Sequence, residues 1–525
     1  MMLRHEFVLA TGLLAGAACV AADAPSEAPQ SNAISQLTAT IDPVDIDPIT
    51  VIDRATACSY DPRVVAGVVS NDTCVGGDLF FRERFGGNGR SCATCHPVDH
   101  NFTIDPPFIA TLPAFDWLFV AEFNPALADL EKPAIMRKFG LILENLDGFA
   151  PDPRTHFVLR SVPHTFSLAT SVTRSATDPV TIPIDRTGWS GDGAPGNGAL
   201  RDFQTGAITQ HYTRSLNRVA GQDFRLATDE ELRTIDVYMR GTGRTNELVL
   251  ANVVMSDARA DAGRAKFLSV GCNGCHGNAG ANAAFGDGGN RNFNTNVETS
   301  RHPELAAFPL DGGFLGAPAN PDGSFGNRAF NTPPLIEAAD TGPFFHTATS
   351  VVGASAHNTT FATTIEEAIA FYDSPAFNLG RPVPIDLTAT EIDDMGRFLR
   401  GLNATFNVAV AVKRLDAELA IAARFHNTEL GVQREMLRLA LVEVKDAVRD
   451  LGQALPLATS TSAALNLTAQ QSFNSAIQHL EFARTTSYEV DRVKATNTAR
   501  QLLLSASSSI GTNLTYQIGQ GVAMF

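Results

Sequence analysis

The chain has 525 residues, which is too long for one hydrophobic core, and its ordinary apolar content predicts a globular protein of several domains. Its formal net charge of −16 and pI of about 5.2 argue against a nucleic-acid partner, because phosphates require a basic surface. An acidic surface suits a small basic partner, although a merely solubilising surface explains the charge equally well.

The N-terminus is typical of an export signal. Residues 1–24 contain a short polar start ending at His5, an apolar run over 7–20, and small residues that allow cleavage after Ala22 or Ala24. The apolar run is too short for a comfortable membrane span, and no later stretch is long and apolar enough to be one.

A lipoprotein variant, with Cys19 acylated, is a weaker alternative because a glycine stands where leucine is usual before such a cysteine. Residues 25–54 are predicted to form a linker, since the stretch as far as residue 50 is rich in Ala, Ser, Pro and Asp.

Two copies of the pentapeptide Cys-x-x-Cys-His follow, at Cys92–His96 and Cys272–His276. This pentapeptide is the attachment site of c-type haem. Cysteines three residues apart lie on the same side of one helical turn and can bond both vinyl edges of one porphyrin, and the next histidine is then the proximal ligand of the iron. A structural zinc site needs four ligands around one ion, and a thioredoxin-like pair does not require the histidine, so both remain residual alternatives.

The remaining cysteines predict the compartment. Of seven cysteines, four belong to the haem motifs and Cys19 lies in the signal, which leaves Cys58 and Cys74. In an oxidising compartment we expect these two to form a disulfide, with two buried free thiols as the alternative. Covalent haem attachment in bacteria also occurs outside the cytoplasm, so we predict a periplasmic protein.

Each haem motif is followed by a predicted amphipathic helix, over residues 226–240 and 387–400. Both helices begin with a capping box and end at a glycine suited to stopping a helix. These residues are Thr228, Glu231 and Gly241 in the first helix, and Thr388, Glu391 and Gly401 in the second. A haem-bearing helix at the start and an amphipathic helix at the end is the plan of a cytochrome c domain. The predicted fold is therefore mainly α, with tandem cytochrome c-type domains over 55–243 and 244–403.

The rest of the chain differs from these domains. Residues 277–330 are dense in Gly, Asn, Ala and Pro and predict an irregular loop that covers the second haem. Residues 404–525 contain no cysteine and show helical apolar spacing over Val408–Arg424, Glu429–Leu451 and about Ala469–Leu504, which predicts an accessory helical hairpin or bundle. Formation of a homodimer, partner docking and simple packing all remain open as its role.

The order of further sequence blocks resembles that of the dihaem cytochrome c peroxidases and their MauG-like relatives, over roughly residues 75–403. The blocks that carry the resemblance surround both haem motifs: Gly77–Arg82, Gly89–His96, Phe102, Arg160–Pro163, Gly188–Gly193, Leu200–Ile208, Gly263–Phe267, Gly271–His276, Phe330–Leu335, Gly342–His346 and Thr364–Tyr372.

The resemblance implies a division of labour between the haems. Hydrogen peroxide reacts at the N-terminal haem, and the C-terminal haem, with two axial ligands, supplies electrons from a small cytochrome c or copper protein. A tryptophan between the haems mediates transfer in the family, and Trp189 stands in the corresponding block, with a core indole as the alternative.

The resemblance also suggests the distal ligand of the second haem, which is Met or Tyr in the family. No methionine occurs between Met255 and Met395, whereas Tyr372 stands at the ligand position. A phenolate ligand lowers the potential of a haem, as in the MauG-like variant. His346 is the strongest rival, although its block usually has a supporting role in the family.

The first pocket departs from the family pattern. Phe203 aligns with the family's catalytic glutamine and Ala207 with a proline, and Thr213 falls near the position of the catalytic glutamate. Cleavage of peroxide needs a group that moves a proton between its oxygens. We expect His211 to do this, because the pKa of histidine lies near neutrality, with assistance from Gln204.

Alternative roles remain open for His211, which could be structural or a sixth ligand that closes the iron. His164 and His100 are further candidates for a sixth ligand. The remaining histidines are expected to be surface or structural residues: His156, His302, His357, His426 and His479.

Calcium between the haems is common in the family. The family's asparagine near the Arg160–Pro163 block is Ser161 in this chain.

The haem motifs and the resemblance together predict a dihaem peroxidase, with a MauG-like oxidase acting on a protein or organic substrate as one alternative. A purely electron-transferring dihaem cytochrome is the other.

Overall fold

In the computed structural model, the described residues are 51–145, 152, 154–173, 185–191, 198–284, 288–313, 328–349, 362–454 and 461–525. The predicted signal peptide, with Cys19, and His357 lie outside them. As predicted, the described chain is mainly helical. The α-helices are α1 Val51–Ser59, α2 Pro62–Val65, α3 Asn71–Arg82, α4 Cys92–Cys95, α5 Pro106–Thr111, α6 Val120–Phe123, α7 Pro133–Phe139, α8 Leu168–Ser171, α9 Leu200–His211, α10 Asp229–Arg240, α11 Ala258–Ser269, α12 Cys272–Cys275, α13 Ile365–Tyr372, α14 Pro375–Asn378, α15 Ala389–Phe425, α16 Leu430–Ala454, α17 Thr461–Thr485 and α18 Glu489–Ile510.

The strands are short and pair in antiparallel ribbons. They are β1 Leu141–Glu144 with β2 Val158–Ser161, β3 Val254–Met255 with β6 Gly511–Thr512, and β4 Asn292–Phe293 with β5 Phe330–Asn331. The predicted irregular loop over 277–330 accordingly contains, among its described residues, only short 3₁₀ turns and single strands. The β3–β6 ribbon joins the C-terminal segment of the chain to the start of the second haem segment.

The first haem segment is built on the crossing of α3 with α10. A Cβ atom on Gly76 would lie 1.9 Å from the carbonyl oxygen of Thr234, so only glycine lets the two backbones touch at this crossing. The predicted disulfide between Cys58 and Cys74 is confirmed and fastens α1 to α3.

The second haem segment repeats this arrangement with α11 and α15. A Cβ atom on Gly263 would lie 1.9 Å from the carbonyl oxygen of Asp394. In both segments a glycine on the helix before the haem motif therefore meets the backbone of the helix that closes the segment. The capping boxes predicted at the starts of α10 and α15 are both present.

The prediction that glycines end both closing helices is right for α10 and wrong for α15. Gly241 is the C-cap of α10, whereas α15 continues through Gly401 for 37 residues in all. A Cβ atom on Gly401 would lie 2.5 Å from the Cε atom of Met255. Gly401 therefore makes room for a side chain of β3, and helical apolar spacing carries the helix onward.

The C-terminal region is a closed four-helix bundle. Its first helix is the second half of α15, which packs on α16 and α18, and α17 packs on the same two helices. The single helical stretch predicted over Ala469–Leu504 is wrong, because α17 ends at Thr485 and α18 begins at Glu489. Among the described residues, no helix is both long enough and apolar enough to cross a membrane.

Candidate haem sites

The first motif forms a single helical turn, α4, after an N-terminal cap at Ser91. Cys92 and Cys95 are free, half-buried thiols. Because they are three residues apart in a helix, both thiols lie on the same side of the turn. Burial raises the pKa of Cys92 to about 11 and that of Cys95 to about 12, so both side chains are neutral thiols at physiological pH.

His96 ends this turn with a defined ring orientation. Its Nδ1 lies 2.8 Å from the carbonyl oxygen of Phe102, an arrangement in which Nδ1–H donates and the lone pair of Nε2 stays available. Burial lowers the pKa of His96 to about 4, which keeps the imidazole neutral. A neutral imidazole whose other nitrogen is fixed by a carbonyl is the form that binds a metal.

The second motif has the same geometry in a different part of the chain. Cys272 and Cys275 occupy the single turn α12, and His276 follows it. The Nδ1 of His276 lies 3.0 Å from the carbonyl oxygen of Pro333, and burial lowers the pKa of this histidine to about 4. Both donor sets thus fit a covalently attached haem with one axial histidine.

His211 lies at the end of α9, beside the first motif. The hydroxyl of the next residue, Tyr212, donates to Sγ of Cys92 over 3.2 Å. Burial and the positive charges of Arg90 and Arg218 lower the pKa of His211 to about 3. The sequence analysis expected His211 to have a pKa near neutrality, and the structure instead favours a neutral imidazole throughout the physiological pH range.

A buried carboxylate that the sequence analysis missed faces this histidine. Glu131 is 1% exposed, and its Oε1 lies 4.0 Å from Nδ1 of His211. The same oxygen accepts from Arg90 over 2.8 Å, and Oε2 accepts from the backbone N–H of Leu143 over 2.9 Å. The buried pair of Glu131 with Arg90, two residues before Cys92, therefore belongs to the first haem site.

Gln204 does not point toward this group. It precedes His211 by two helical turns, or about 10 Å along α9. Its Nε2 lies 3.4 Å from Sδ of Met239 on α10, and its buried Oε1 has no hydrogen-bond partner within the described residues. The structure therefore brings Glu131, rather than Gln204, to His211.

Tyr372 lies at the end of α13 beside the second motif. Burial raises the pKa of its phenol, and the nearby thiols of Cys275 and Cys272 raise it further. Its ring makes edge contacts with Phe371 and Phe377, at centroid distances of 5.3 and 4.9 Å. Tyr372 is thus a phenol near both cysteines of the second motif, in largely aromatic surroundings.

Trp189 contacts the same aromatic cluster as Tyr372. Its Nε1–H donates to the carbonyl oxygen of Ser161 over 2.8 Å, which fixes the plane of the indole. The ring of His346 lies 6.3 Å from that of Trp189, edge to face. Trp189 therefore packs against the same cluster as Tyr372, the tyrosine beside the second motif.

His346 has its own contacts, with Phe330 and Glu298. It stacks on Phe330 with 3.7 Å between ring centroids, and its Nε2 lies 2.5 Å from Oε1 of Glu298. A histidine held in this way supports the surroundings of Trp189, which favours Tyr372 as the candidate ligand.

The other candidate sixth ligands differ in their surroundings. His100 stacks on Phe108 and lies 3.3 Å from Oδ1 of Asp105, so it is held by its own loop. His164 has a buried Nδ1 without a hydrogen-bond partner among the described residues, and burial lowers its pKa. His164 also interacts electrostatically with His96, which keeps it a candidate at the first site.

Ser161, which stands where the family has an asparagine near its calcium, uses its polar atoms within the chain. The Oγ of Ser161 donates to the carbonyl oxygen of Phe345, while its own carbonyl accepts from Trp189. Across the described part of the chain, no group of three or more His, Cys, Asp or Glu side chains is arranged to hold a metal ion.

Comparison of the chain with known proteins adds nothing to this geometry: no family model, no curated protein and no solved structure matches it.

Proposed function

We propose that the protein is a dihaem c-type cytochrome peroxidase, which reduces hydrogen peroxide with electrons from a small cytochrome c or copper protein. One observation carries the proposal. Two separate Cys-x-x-Cys-His turns each place two free thiols beside a neutral histidine whose Nδ1 faces a backbone carbonyl. The disulfide between Cys58 and Cys74 supports an oxidising compartment, such as the periplasm.

Each haem would be held by its own motif. Cys92 and Cys95, or Cys272 and Cys275, would form the thioether bonds, and His96 or His276 would offer Nε2 to the iron. When bound, the haems supply an iron that exchanges single electrons. The protein contributes the proton path, the exclusion of water and the route between the sites.

At the first site, His211 is the group that can accept a proton from peroxide and return it to the departing oxygen. Burial, with the charges of Arg90 and Arg218, keeps His211 neutral, which leaves a ring nitrogen free to accept a proton but makes the imidazole a weak base. Glu131 lies 4.0 Å from the ring, where its negative charge would favour the protonated form during transfer.

At the second site, the surroundings suit electron transfer rather than proton transfer. Trp189 and Tyr372 contact one aromatic cluster, and the indole is fixed by its hydrogen bond to Ser161. When an aromatic group that is held rigidly gains or loses an electron, its surroundings rearrange little, so the reorganisation energy is small. We therefore assign Trp189 to passage of electrons and Tyr372 to the distal side of the second haem.

A second candidate function is that of a MauG-like oxidase, which would use peroxide or oxygen to oxidise a protein or organic substrate. The position of Tyr372 near Cys275 favours it, because a tyrosine ligand lowers the potential of a haem.

The test is spectroscopic and kinetic. We expect the EPR spectrum of the isolated protein to contain one high-spin haem, and we expect steady peroxide reduction with a reduced small cytochrome as donor. A high-spin haem with no donor-dependent turnover would shift the assignment to the oxidase. Two low-spin haems with no reaction toward peroxide would show a plain electron-transferring cytochrome.

A further inference from the structure

The helix α16 of the C-terminal bundle carries a row of buried acidic side chains. Glu443, Asp446 and Asp450 are 2%, 6% and 0% exposed. Because they are three and four residues apart, they share one face of the helix. Burying several carboxyl groups together is unfavourable unless they are paired or protonated, so their surroundings call for an explanation.

This face meets the loop that follows the first haem motif. Nδ2 of Asn101 lies 3.5 Å from Oδ2 of Asp446, and Nη1 of Arg438, also on α16, lies 3.2 Å from Oδ2 of Asp99. The residue after Asn101 is Phe102, whose carbonyl accepts from Nδ1 of His96. The helix therefore contacts the loop that sets the orientation of the first proximal histidine.

The same face also meets the loop beyond the second haem motif. Nε of Arg449 lies 2.8 Å from Oδ1 of Asp340, and its Nη2 lies 3.0 Å from Oδ1 of Asp446. Asp340 lies seven residues after Pro333, whose carbonyl accepts from Nδ1 of His276. Asp446 is thus linked directly to one histidine-supporting loop and, through Arg449, to the other.

Charged groups from each packed element face this cluster. From α15, Arg414 pairs with Glu443 over 2.6 Å and Arg400 pairs with Glu366 over 2.8 Å. Asn407 of α15 donates to Asp450 over 3.4 Å. Asp340 comes from the second loop, and Arg449 is the cation that it shares with Asp446.

We propose that α16 is a clamp on the proximal side of both haem sites, in which Asp446 is a positioning residue for the loops that orient His96 and His276, and Asp450 acts on Asp446 through its charge. The proposal rests on haem binding at both motifs, and it holds whether the protein is a peroxidase, an oxidase or an electron carrier. A change in the clamp alters the hydrogen bonds to both histidines, and hence the basicity of the ligands and the haem potentials.

The protonation of its buried acids determines whether the clamp favours the closed or the open form. Burial, with repulsion from Asp340 and Glu443, raises the pKa of Asp446 to about 8, and burial with repulsion from Asp340 raises that of Asp450 well above its usual range. The neutral acids are therefore the form that fits the closed clamp. Because the closed clamp holds the proton of Asp446 more tightly than the open form does, opening becomes favoured by up to about tenfold per pH unit as pH rises toward about 8, and the effect levels off above that pH.

The experiment uses the full-length protein with both haems, confirmed by mass before any other measurement. Amide hydrogen exchange, corrected for intrinsic rates, is measured over residues 97–104 and 333–341 at pH 7 and pH 9, together with both haem potentials. In the wild type we expect protection of both loops to fall about tenfold between these pH values, with a shift in both potentials.

Asp446→Asn mimics the protonated acid, so we expect it to keep both loops protected at pH 9 and to flatten the pH dependence of the potentials. Arg449→Gln removes the ion pair with Asp340 and should loosen residues 333–341 more than residues 97–104. Glu481→Gln, which removes an exposed charge on α17, is the matched control and should behave as the wild type.

If Asp446→Asn retains the wild-type pH dependence of exchange and potentials, the clamp is wrong. Asp450→Asn provides an independent variant should the first one fold poorly, and the same outcome for it overturns the proposal. A protein with two haems and an active clamp but no peroxide turnover would instead contradict only the proposed function.

Discussion

The two Cys-x-x-Cys-His turns share one geometry but differ in the side chains that pack beside them. Beside the first motif lie His211, Glu131, Arg90 and Arg218, which form a buried polar group with two cations and one anion. Beside the second lies Tyr372 within a cluster of phenylalanines. The two turns are therefore alike, whereas the side chains packed beside them differ in polarity. If both turns hold haem as proposed, this contrast would let protons move at the first site and favour electron transfer at the second.

The largest effect expected concerns attachment itself. Changing Cys92 and Cys95 to Ala should remove one haem from the mature protein and leave the other, since each motif is a complete donor set. Changing Cys272 and Cys275 to Ala should remove the second haem only. Mass spectrometry counts the additions directly, and a wild-type protein without haem, from a host competent in attachment, would contradict both sites.

The polar wall of the first site is tested by His211→Ala. Loss of one acid–base group typically slows a reaction by about 10²–10⁴, and we expect that loss in the rate with peroxide, with the first haem bound and its spin state similar. His426→Ala, at an exposed histidine, is the control. Because the pKa of His211 is lowered to about 3, its ionisation should leave no inflection in the rate between pH 5 and 8.

Two other outcomes would reassign His211. A faster reaction, with a previously six-coordinate iron opened, would make it a ligand in the resting protein. Unchanged rate and spectrum would make it structural, and the proton path would then run through water.

Local patterns explain what the sequence could predict. The helical turns at the two Cys-x-x-Cys-His motifs, the capping boxes of α10 and α15 and the Cys58–Cys74 pair are defined by neighbouring residues or by simple elimination, and the structure contains each of them, while haem binding by the turns stays a prediction. Glu131 was missed because it lies far from His211 in the sequence, and only tertiary packing brings the two together. The role of Gly401 was misjudged for the same reason, since the partner it admits is Met255.

The aromatic wall of the second site is tested by Tyr372→Phe, which removes the phenol oxygen and keeps the ring contacts. If this oxygen is the distal ligand, the low-spin EPR signal of the second haem should become high-spin, or take on a new ligand, and its potential should rise. Tyr488→Phe, at an exposed tyrosine, is the control. An unchanged spectrum would remove Tyr372 from the iron and direct attention to His346.

The smallest effects concern the helix crossings that the two sites have in common. Gly76→Ala should push α10 away from α3, and Gly263→Ala should push α15 away from α11, because each new Cβ meets a backbone oxygen that cannot swing aside. Overpacking of this kind costs about 1–3 kcal/mol of stability, so each variant should lower the melting temperature measured by calorimetry. Gly452→Ala is the control, since its new Cβ meets open space in α16 and should be neutral or stabilise by at most about 1 kcal/mol.

If the two crossings are equivalent supports for separate haem sites, Gly76→Ala should perturb the spectrum of the first haem more and Gly263→Ala that of the second. Equal perturbation of both haems by either variant would show that the two sites depend on one common structural support. The sites would then differ in the side chains that line them but not in the packing that holds them.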